Sequence, residues 1–202
     1  MWKKWFEKAA TPSKAAEGGA TLARPLDGVD RSLAVEFLCR ARSILPMTPR
    51  QAETAAGFMV ARQYAAGAVV FKEGDSISSR HMLWILHGEA TIEAMAANPR
   101  DAITLTVLEP GSTLGEMGLL DGGRRSTGCT ACSTLRCALL TRNALQALAA
   151  QHPEVAAKLL AIVCMGIASR LREVTEKHKR HVMVTNMIND EHSEAMPAAP
   201  AL

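Results

Sequence analysis

Short stretches of strand-forming residues, separated by glycines, fill the middle of the chain. Between residues 103 and 107 apolar residues alternate with threonine, which is typical of a half-buried strand. Other stretches rich in large apolar residues lie at residues 68–71, 83–86, 90–95 and 135–140. Several short strands with glycine turns at this spacing predict a double-sheet barrel of the jelly-roll kind.

Helical periodicity flanks this β region on both sides. Apolar residues recur at helical spacing over residues 30–44, and Thr48, Pro49 and Gln51 predict a second helix that starts with a capping box and runs to about residue 59. Pro153 opens a long helix after a short one at residues 143–150. The predicted fold class is therefore mainly β: a jelly-roll-like β-roll, similar to a cupin barrel, with N-terminal helices and a long C-terminal helix.

The long C-terminal helix carries a seam for a partner helix. Its apolar residues recur in steps of three and four, at Leu160, Val163, Ile167, Leu171 and Val174. The pattern therefore predicts contact with a partner helix.

One main domain is expected, at residues 29–186, with helices at 30–60, the β-roll at 62–141 and further helices at 142–186. Residues 1–28 predict a flexible arm, and residues 187–202 predict a disordered tail. The arm carries Trp2, Trp5 and Phe6, which suit a short helix packed on its own protein or frayed, or docking on a partner or a membrane surface.

Composition gives no global reason to expect nucleic acid or an anionic membrane as a partner, because the formal net charge is only +3. The odd number of cysteines, 5, argues against a disulfide framework. No apolar stretch of signal-peptide length follows the first residues, and the longest apolar region, around residues 159–167, is too short to span a bilayer. We expect a soluble protein of the cytoplasm without a transmembrane segment.

The segment at residues 115–127 stands between two predicted strands, where a loop of this length needs a reason. Met117 and the residues after it can form one helical turn whose free N–H groups bind an anion. Arg125 offers a fork of donors for two phosphate oxygens, and Ser126 adds a hydroxyl and an N–H. Glu116 only accepts hydrogen bonds, which suits a sugar hydroxyl. Together these residues indicate a pocket for a sugar fused to a singly charged phosphate.

The same segment resembles the phosphate-binding cassette of cyclic-nucleotide-binding domains, in Gly115-Glu116-x-Gly118-Leu119-Leu120 followed by Arg125-Ser126. Two further glycine-marked blocks resemble this family. Residues 67–75 match its early strand pair and turn, and residues 83–90 match its next strand. The resemblance covers about residues 48–175 and is closest to bacterial cAMP-receptor-like sensor domains.

The resemblance implies a role for each cassette residue. Glu116 would accept a hydrogen bond from the ribose 2′-hydroxyl, and Arg125 would clamp the exocyclic phosphate oxygens. Ser126 would complete the anion cradle, together with the backbone of Thr127 and of residues 115–118. The opposing interpretation is that Glu116 and Arg125 only pair with each other or with solvent across a loop.

The residue after the cassette arginine favours cAMP as the ligand, with cGMP as the alternative. In the family, threonine at that position often accompanies cGMP, whereas alanine or serine accompanies cAMP, and Ser126 is similar to the bacterial cAMP receptors. Those receptors also reach the adenine with a Thr-Ser pair on the long helix, for which Thr175 is the nearest candidate. Thr175 is followed by Glu176, so the chain departs from the receptors here. No residue gives positive support for a cyclic dinucleotide.

Other polar motifs have simpler interpretations. Cys129, Cys132 and Cys137 have a spacing similar to metal or redox sites, but no second Cys or His pair lies at a matching distance, so we interpret the first two as small apolar residues of a sheet. We predict surface or turn positions for His81 and His87.

The basic run at residues 177–181 is more typical of a solvated helix end than of a contact with DNA or acidic lipids. The sequence has no nucleophile elbow, zinc-binding His pair or paired carboxylates near the cassette, so we predict no enzyme and no bound cofactor.

The resemblance implies that the long C-terminal helix acts as a lid and as the seam of a homodimer. It also implies a sensor in which the ligand draws the cassette inward and shifts this helix. Regulators of the cAMP-receptor type carry a helix-turn-helix DNA reader after this helix, and too few residues follow Thr185 for one. We therefore expect no sequence-specific DNA binding and a signal that passes to an unidentified protein partner. The rival interpretation is a ligand-free scaffold with the same fold, used for protein–protein contact.

Overall fold

The computed structural model describes residues 23–76, 80–95 and 102–194. Contacts divide the chain into two compact units, Met1–Val163 and Cys164–Leu202. Most of the predicted arm, with Trp2, Trp5 and Phe6, and the end of the predicted tail lie outside the described residues.

Two antiparallel sheets form the centre of the first unit. The first sheet has the strand order β1-β2-β9-β4-β7, and the second has the order β3-β8-β5-β6. The strands among the described residues are β1 (Arg24–Pro25), β2 (Val60–Tyr64), β3 (Val69–Phe71), β4 (His81–His87), β5 (Ala90–Met95), β6 (Ala102–Leu108), β7 (Thr113–Leu114), β8 (Gly128–Ala131) and β9 (Leu135–Thr141). This arrangement confirms the predicted β-roll.

Helices flank the two sheets, as the sequence pattern predicts. Those among the described residues are α1 (Gly28–Arg40), α2 (Pro49–Ala56), α3 (Glu116–Asp121), α4 (Arg142–Gln151) and α5 (Pro153–Glu194). The capping box at the start of α2 is confirmed, because the Thr48 hydroxyl accepts from the Gln51 N–H and the Gln51 side chain accepts from the Thr48 N–H.

The core of the first unit lies between the two sheets. The first sheet contributes Val60, Tyr64, Leu83, Ile85, Leu114, Leu135, Cys137 and Leu139, and the second contributes Phe71, Ala90, Cys129 and Ala131. Each large apolar side chain buried in this way stabilises the fold by roughly 1.5–3 kcal/mol. The packed sheets therefore give the loops at their ends a fixed support.

The structure differs from the sequence prediction at the start of the domain. Arg24 and Pro25, which the prediction assigned to the flexible arm, pair with β2, and Leu26 is buried. The Arg24 guanidinium donates to the carboxylate of Asp30 over 3.0 Å, and Asp30 also pairs with Arg136 of β9 over 3.3 Å. These ion pairs to the buried carboxylate of Asp30 attach the end of the arm to the β-roll.

The second unit contains the described C-terminal part of α5, which continues past residue 186, the end predicted for the domain, to Glu194. Along this part, Leu171 is 65% exposed and Val174 is 62% exposed. Leu171 and Val174 of the predicted seam therefore face solvent in the single chain, whereas Val163 of the same seam is buried. Within the described ranges, every helix is either too short or too polar to cross a membrane.

Candidate ligand-binding site

Residues 115–127, called the cassette below, begin with a short helix between two glycines. The predicted helical turn is confirmed as α3, which follows Gly115 and ends before Gly122. Gly115 has a φ of +78°, a left-handed conformation that residues with a Cβ rarely adopt. A Cβ at this position would lie 2.1 Å from Nη1 of Arg125 and 3.1 Å from the carbonyl oxygen of His81. Glycine is therefore needed here for both the turn and the close approach of the arginine.

The side chain of Arg125 points inward and is only 4% exposed. Its Nη1 donates to the carbonyl of Gly115 over 2.9 Å, and its Nη2 donates to the carbonyl of His81 over 2.9 Å. Its Cζ lies 4.4 Å from the centre of the Phe71 ring. The guanidinium thus joins the start of the cassette to β4 and to the core.

The backbone of Arg125 is held by the predicted Gly74-Asp75 turn. The Arg125 N–H donates to the carbonyl of Asp75 over 2.9 Å, and the Gly74 N–H donates to the carbonyl of Arg125 over 2.8 Å. The Gly74-Asp75 turn and the cassette both belong to the pattern that resembles the family, and they meet at Arg125.

Glu116 is the first residue of α3 and is only 2% exposed. Its Oε1 accepts a hydrogen bond from the hydroxyl of Thr113 over 3.1 Å. Both Glu116 and Arg125 are thus buried, so neither side chain is solvated across an exposed loop.

The charges at the site are set by burial. Burial lowers the pKa of Arg125 to about 10, although Tyr64, Glu116, Asp75 and Cys129 oppose this shift. Burial, followed by the positive charges of Arg125 and Arg62, lowers the pKa of His81 to about 3. At pH 7 the site therefore combines a charged guanidinium with a neutral imidazole, which suits a ligand with a single negative charge.

His81 and Arg142 are the residues at this site that the sequence interpretation missed. His81 begins β4 and supplies an acceptor for Arg125, so the prediction of a surface or turn position is wrong for this residue. Nε of Arg142 donates to the carbonyl of Leu119 over 2.8 Å, and its Nη2 donates to the carbonyl of Gly118 over 3.4 Å. Arg142 thereby binds the C-terminal end of α3, where a cation is favourable.

The remaining predicted site residues are placed as follows. Gly118 is buried in α3, Met117 is 54% exposed on the same helix, Ser126 is exposed, and Thr127 is partly buried. Thr175 lies in the second unit, where its hydroxyl donates to the carbonyl of Leu171 over 2.8 Å. Its contact with the adenine stays a prediction.

The cysteines near the site are structural in character. Cys129 lies in β8, as predicted, and is buried in the core with Cys137. The predicted sheet position is wrong for Cys132, which follows β8 and is exposed. Burial, followed by the charge of Glu93, raises the pKa of the Cys129 thiol to about 12, so this thiol is protonated at pH 7. Among the described residues, no group of His, Cys, Asp or Glu is arranged to hold a metal ion.

Comparisons with known proteins find similarity to one family in the region of this site. Residues 61–152 match the family model of the cyclic nucleotide-binding domain. A CRP-like cAMP-activated global transcriptional regulator of Mycobacterium tuberculosis is 29% identical over 54% of this chain and 46% of its own length. The cyclic AMP receptor protein of Thermus thermophilus is 30% identical over 63% of this chain and 56% of its own length. The chain thus spans about half the length of these curated relatives.

The fold also matches a solved structure. A cyclic nucleotide-binding domain from Methylobacillus flagellatus superposes with a TM-score of 0.67 at 24% identity, covering 73% of this chain and 81% of the other. This likeness shows the fold, and the family match shows that residues 61–152 are similar to the cyclic nucleotide-binding domain.

Proposed function

We propose that this chain is a non-enzymatic sensor that binds a cyclic mononucleotide, cAMP in the first place, through its cassette. The observation that carries the proposal is the buried guanidinium of Arg125, held directly against the cassette backbone at Gly115. A buried cation is costly unless it meets acceptors or an anion, and such sites are concentrated where proteins bind ligands.

Phosphate binding at Arg125 would take place by exchange of hydrogen bonds. The carbonyls of Gly115 and His81, which are neutral acceptors, take bonds from Nη1 and Nη2. A phosphate oxygen carries charge, so its bonds to a guanidinium are shorter and roughly twice as strong. The ligand therefore competes well for the same N–H groups. Loss of the bonds from Arg125 to the carbonyls of Gly115 and His81 would allow the cassette to move.

Glu116 would recognise the sugar. A carboxylate accepts hydrogen bonds at both oxygens, and Oε1 takes the bond from Thr113. The ribose 2′-hydroxyl would donate to this carboxylate while the phosphate meets Arg125. Ser126 and the backbone of Thr127 and of Gly115, Met117 and Gly118 would complete the cradle.

The preference for cAMP over cGMP rests on Ser126, which follows the cassette arginine, and on relatives that are named as cAMP-activated or cAMP-receptor proteins. The adenine would be contacted by Thr175 of the long helix. A cGMP-binding chain is the alternative within the same class.

The signal would leave through α5. Leu171 and Val174 are exposed apolar residues at the predicted seam, which suits a homodimer. Movement of the cassette would shift the population of arrangements of this helix and so alter contacts with a protein partner. Comparing amide exchange of residues 153–180 with and without cAMP tests this step, and identical protection would contradict it.

A ligand-free scaffold is the second candidate function. One observation favours it: the two terminal nitrogens of Arg125 bind backbone carbonyls, so the arginine also serves the fold. In that case the β-roll and α5 would act only as surfaces for protein contact.

Calorimetric titration with cAMP, cGMP and cyclic dinucleotides separates the two functions. The sensor predicts saturable heat with one mononucleotide, its loss in Arg125→Ala, and its retention in the control Arg124→Ala, which removes an exposed neighbouring arginine. The absence of binding heat with every nucleotide would support the scaffold.

A further inference from the structure

Phe71 is an aromatic side chain in direct contact with the cassette arginine. The centre of its ring lies 4.4 Å from Cζ of Arg125. Phe71 belongs to β3, is opposite Cys129 of β8, and is 5% exposed in the core between the sheets. Because close-packed neighbours hold the ring in place, it offers the guanidinium a fixed surface.

The ring and the two carbonyls contact different parts of the guanidinium. The N–H groups lie in the guanidinium plane, so the carbonyls of Gly115 and His81 bind its edge. Phosphate oxygens need the same edge. Phe71 lies over the Cζ atom, so its contact does not compete with a phosphate.

The chemistry of this contact suits a buried cation. Burial lowers the pKa of Arg125 to about 10, which reflects the loss of water around the charge. The electron-rich face of an aromatic ring attracts a cation and replaces part of that hydration. The contact therefore helps the guanidinium to stay charged and in one orientation inside the domain.

We propose that Phe71 is a positioning residue, whose ring holds the Arg125 guanidinium in the orientation that receives the phosphate of the nucleotide. This inference rests on the proposed function and acts through Arg125. A desolvated cation–π contact corresponds to roughly tenfold to thirtyfold in affinity.

Calorimetry with cAMP tests the proposal in three substitutions. Phe71→Leu should weaken binding roughly tenfold to thirtyfold, whereas Phe71→Tyr, which keeps the ring, should restore most of the affinity. Phe58→Leu is the control, because Phe58 is equally buried but its ring meets His152 edge-on at 6.1 Å. Should Phe71→Leu fail to fold, Phe71→Met serves as the second variant without a ring.

A spectroscopic signature separates positioning from general destabilisation. In proton–nitrogen spectra of the chain, the ring current of Phe71 should shift the Arg125 Nε–H proton upfield, and this shift should vanish in Phe71→Leu and persist in Phe71→Tyr. Wild-type affinity in Phe71→Leu, or equal losses in the Leu and Tyr variants, would overturn the proposal while leaving the sensor intact. The absence of binding heat in the wild-type chain with every nucleotide would overturn both the sensor function and the role of Phe71.

Discussion

Three charged or acidic side chains are buried among the described residues: Asp30, Glu116 and Arg125. Asp30 is explained by the fold, because Arg24 and Arg136 pair with it. The other two belong to the cassette and lie close to Gly115. Glu116 follows this glycine in the chain, and the Arg125 side chain donates to its carbonyl. Because burial of charge is costly, this concentration at one loop indicates a site that the domain maintains for binding.

Substitution of Gly115 tests the close approach of the cassette to Arg125. Gly115→Ala and the control Gly67→Ala introduce a Cβ at the same φ of +78°, which costs roughly 1–2 kcal/mol in each. Only the Cβ at Gly115 meets Arg125, since nothing lies within 4 Å of the one at Gly67. We expect loss of cAMP affinity in Gly115→Ala alone, measured by calorimetry. Equal affinity in the two variants would contradict this geometry.

His81 should make the domain sensitive to acid. Its pKa is about 3 in the folded chain and about 6.5 when unfolded, so the unfolded state binds the extra proton between these values. The free energy of unfolding should therefore fall as the pH drops from about 6.5 towards 3, by at most about 1.4 kcal/mol per pH unit. Urea denaturation at pH 7 and 4.5 should show a smaller loss in His81→Gln. The same loss in both chains would count against this burial.

The sequence indicated Glu116 and Arg125 because their residue types match a local pattern. It did not indicate His81 or Arg142, because their contacts join positions far apart in the chain. Arg125 reaches His81 across 44 positions, and Arg142 reaches Leu119 across 23. No local sequence pattern distinguishes either residue. Their place at the site follows only from the pairing of β4 with β9, which sets His81 opposite the residue before Arg142.

At the scale of elements, α3 depends on Arg142, the first residue of α4. Arg142 binds the last carbonyls of α3, and a Cβ at Gly122 would lie 2.9 Å from its Nη1. The cassette is thereby tied to the start of the C-terminal helices, which gives a displaced cassette a route to α4.

Removal of this tie should loosen the cassette. In Arg142→Gln we expect faster amide exchange over residues 116–122 and a several-fold weaker affinity for cAMP, because the end of α3 loses its charged donor. Arg50→Gln, on the exposed first turn of α2, is the control. Unchanged exchange in Arg142→Gln would show that α3 is stable without the contact.

The elements with a clear period were predictable, and the shorter ones were not. The strand at residues 103–107, the capping box at Thr48 and the start of α5 at Pro153 are confirmed. The half-burial predicted for that strand is wrong, because Ile103, Leu105 and Val107 are 56%, 47% and 50% exposed. β1 and β7 contain 2 residues each, too few for a pattern. β2 begins at Val60, inside the range predicted as helical, because its pairing with β9 rather than its own composition defines it.

At the scale of the whole molecule, the exposed seam of α5 should govern assembly. Leu171→Glu combined with Val174→Glu places charges where the homodimer would bury apolar side chains, so sedimentation should change from dimer to monomer. Arg172→Ala combined with Glu173→Ala, on the same turn, should leave the dimer intact. A monomeric wild-type chain would contradict the assembly proposal without affecting the ligand site.

The proposed function requires that the guanidinium of Arg125 hold the phosphate of a cyclic mononucleotide. The most direct measurement is the dissociation constant for cAMP of Arg125→Gln, set against that of Arg124→Gln. We expect saturable binding in Arg124→Gln and the wild type, and a loss of affinity of at least about a hundredfold in Arg125→Gln, since a charged hydrogen-bond pair is removed from a buried site. Equal affinities in the two variants would contradict the proposed function.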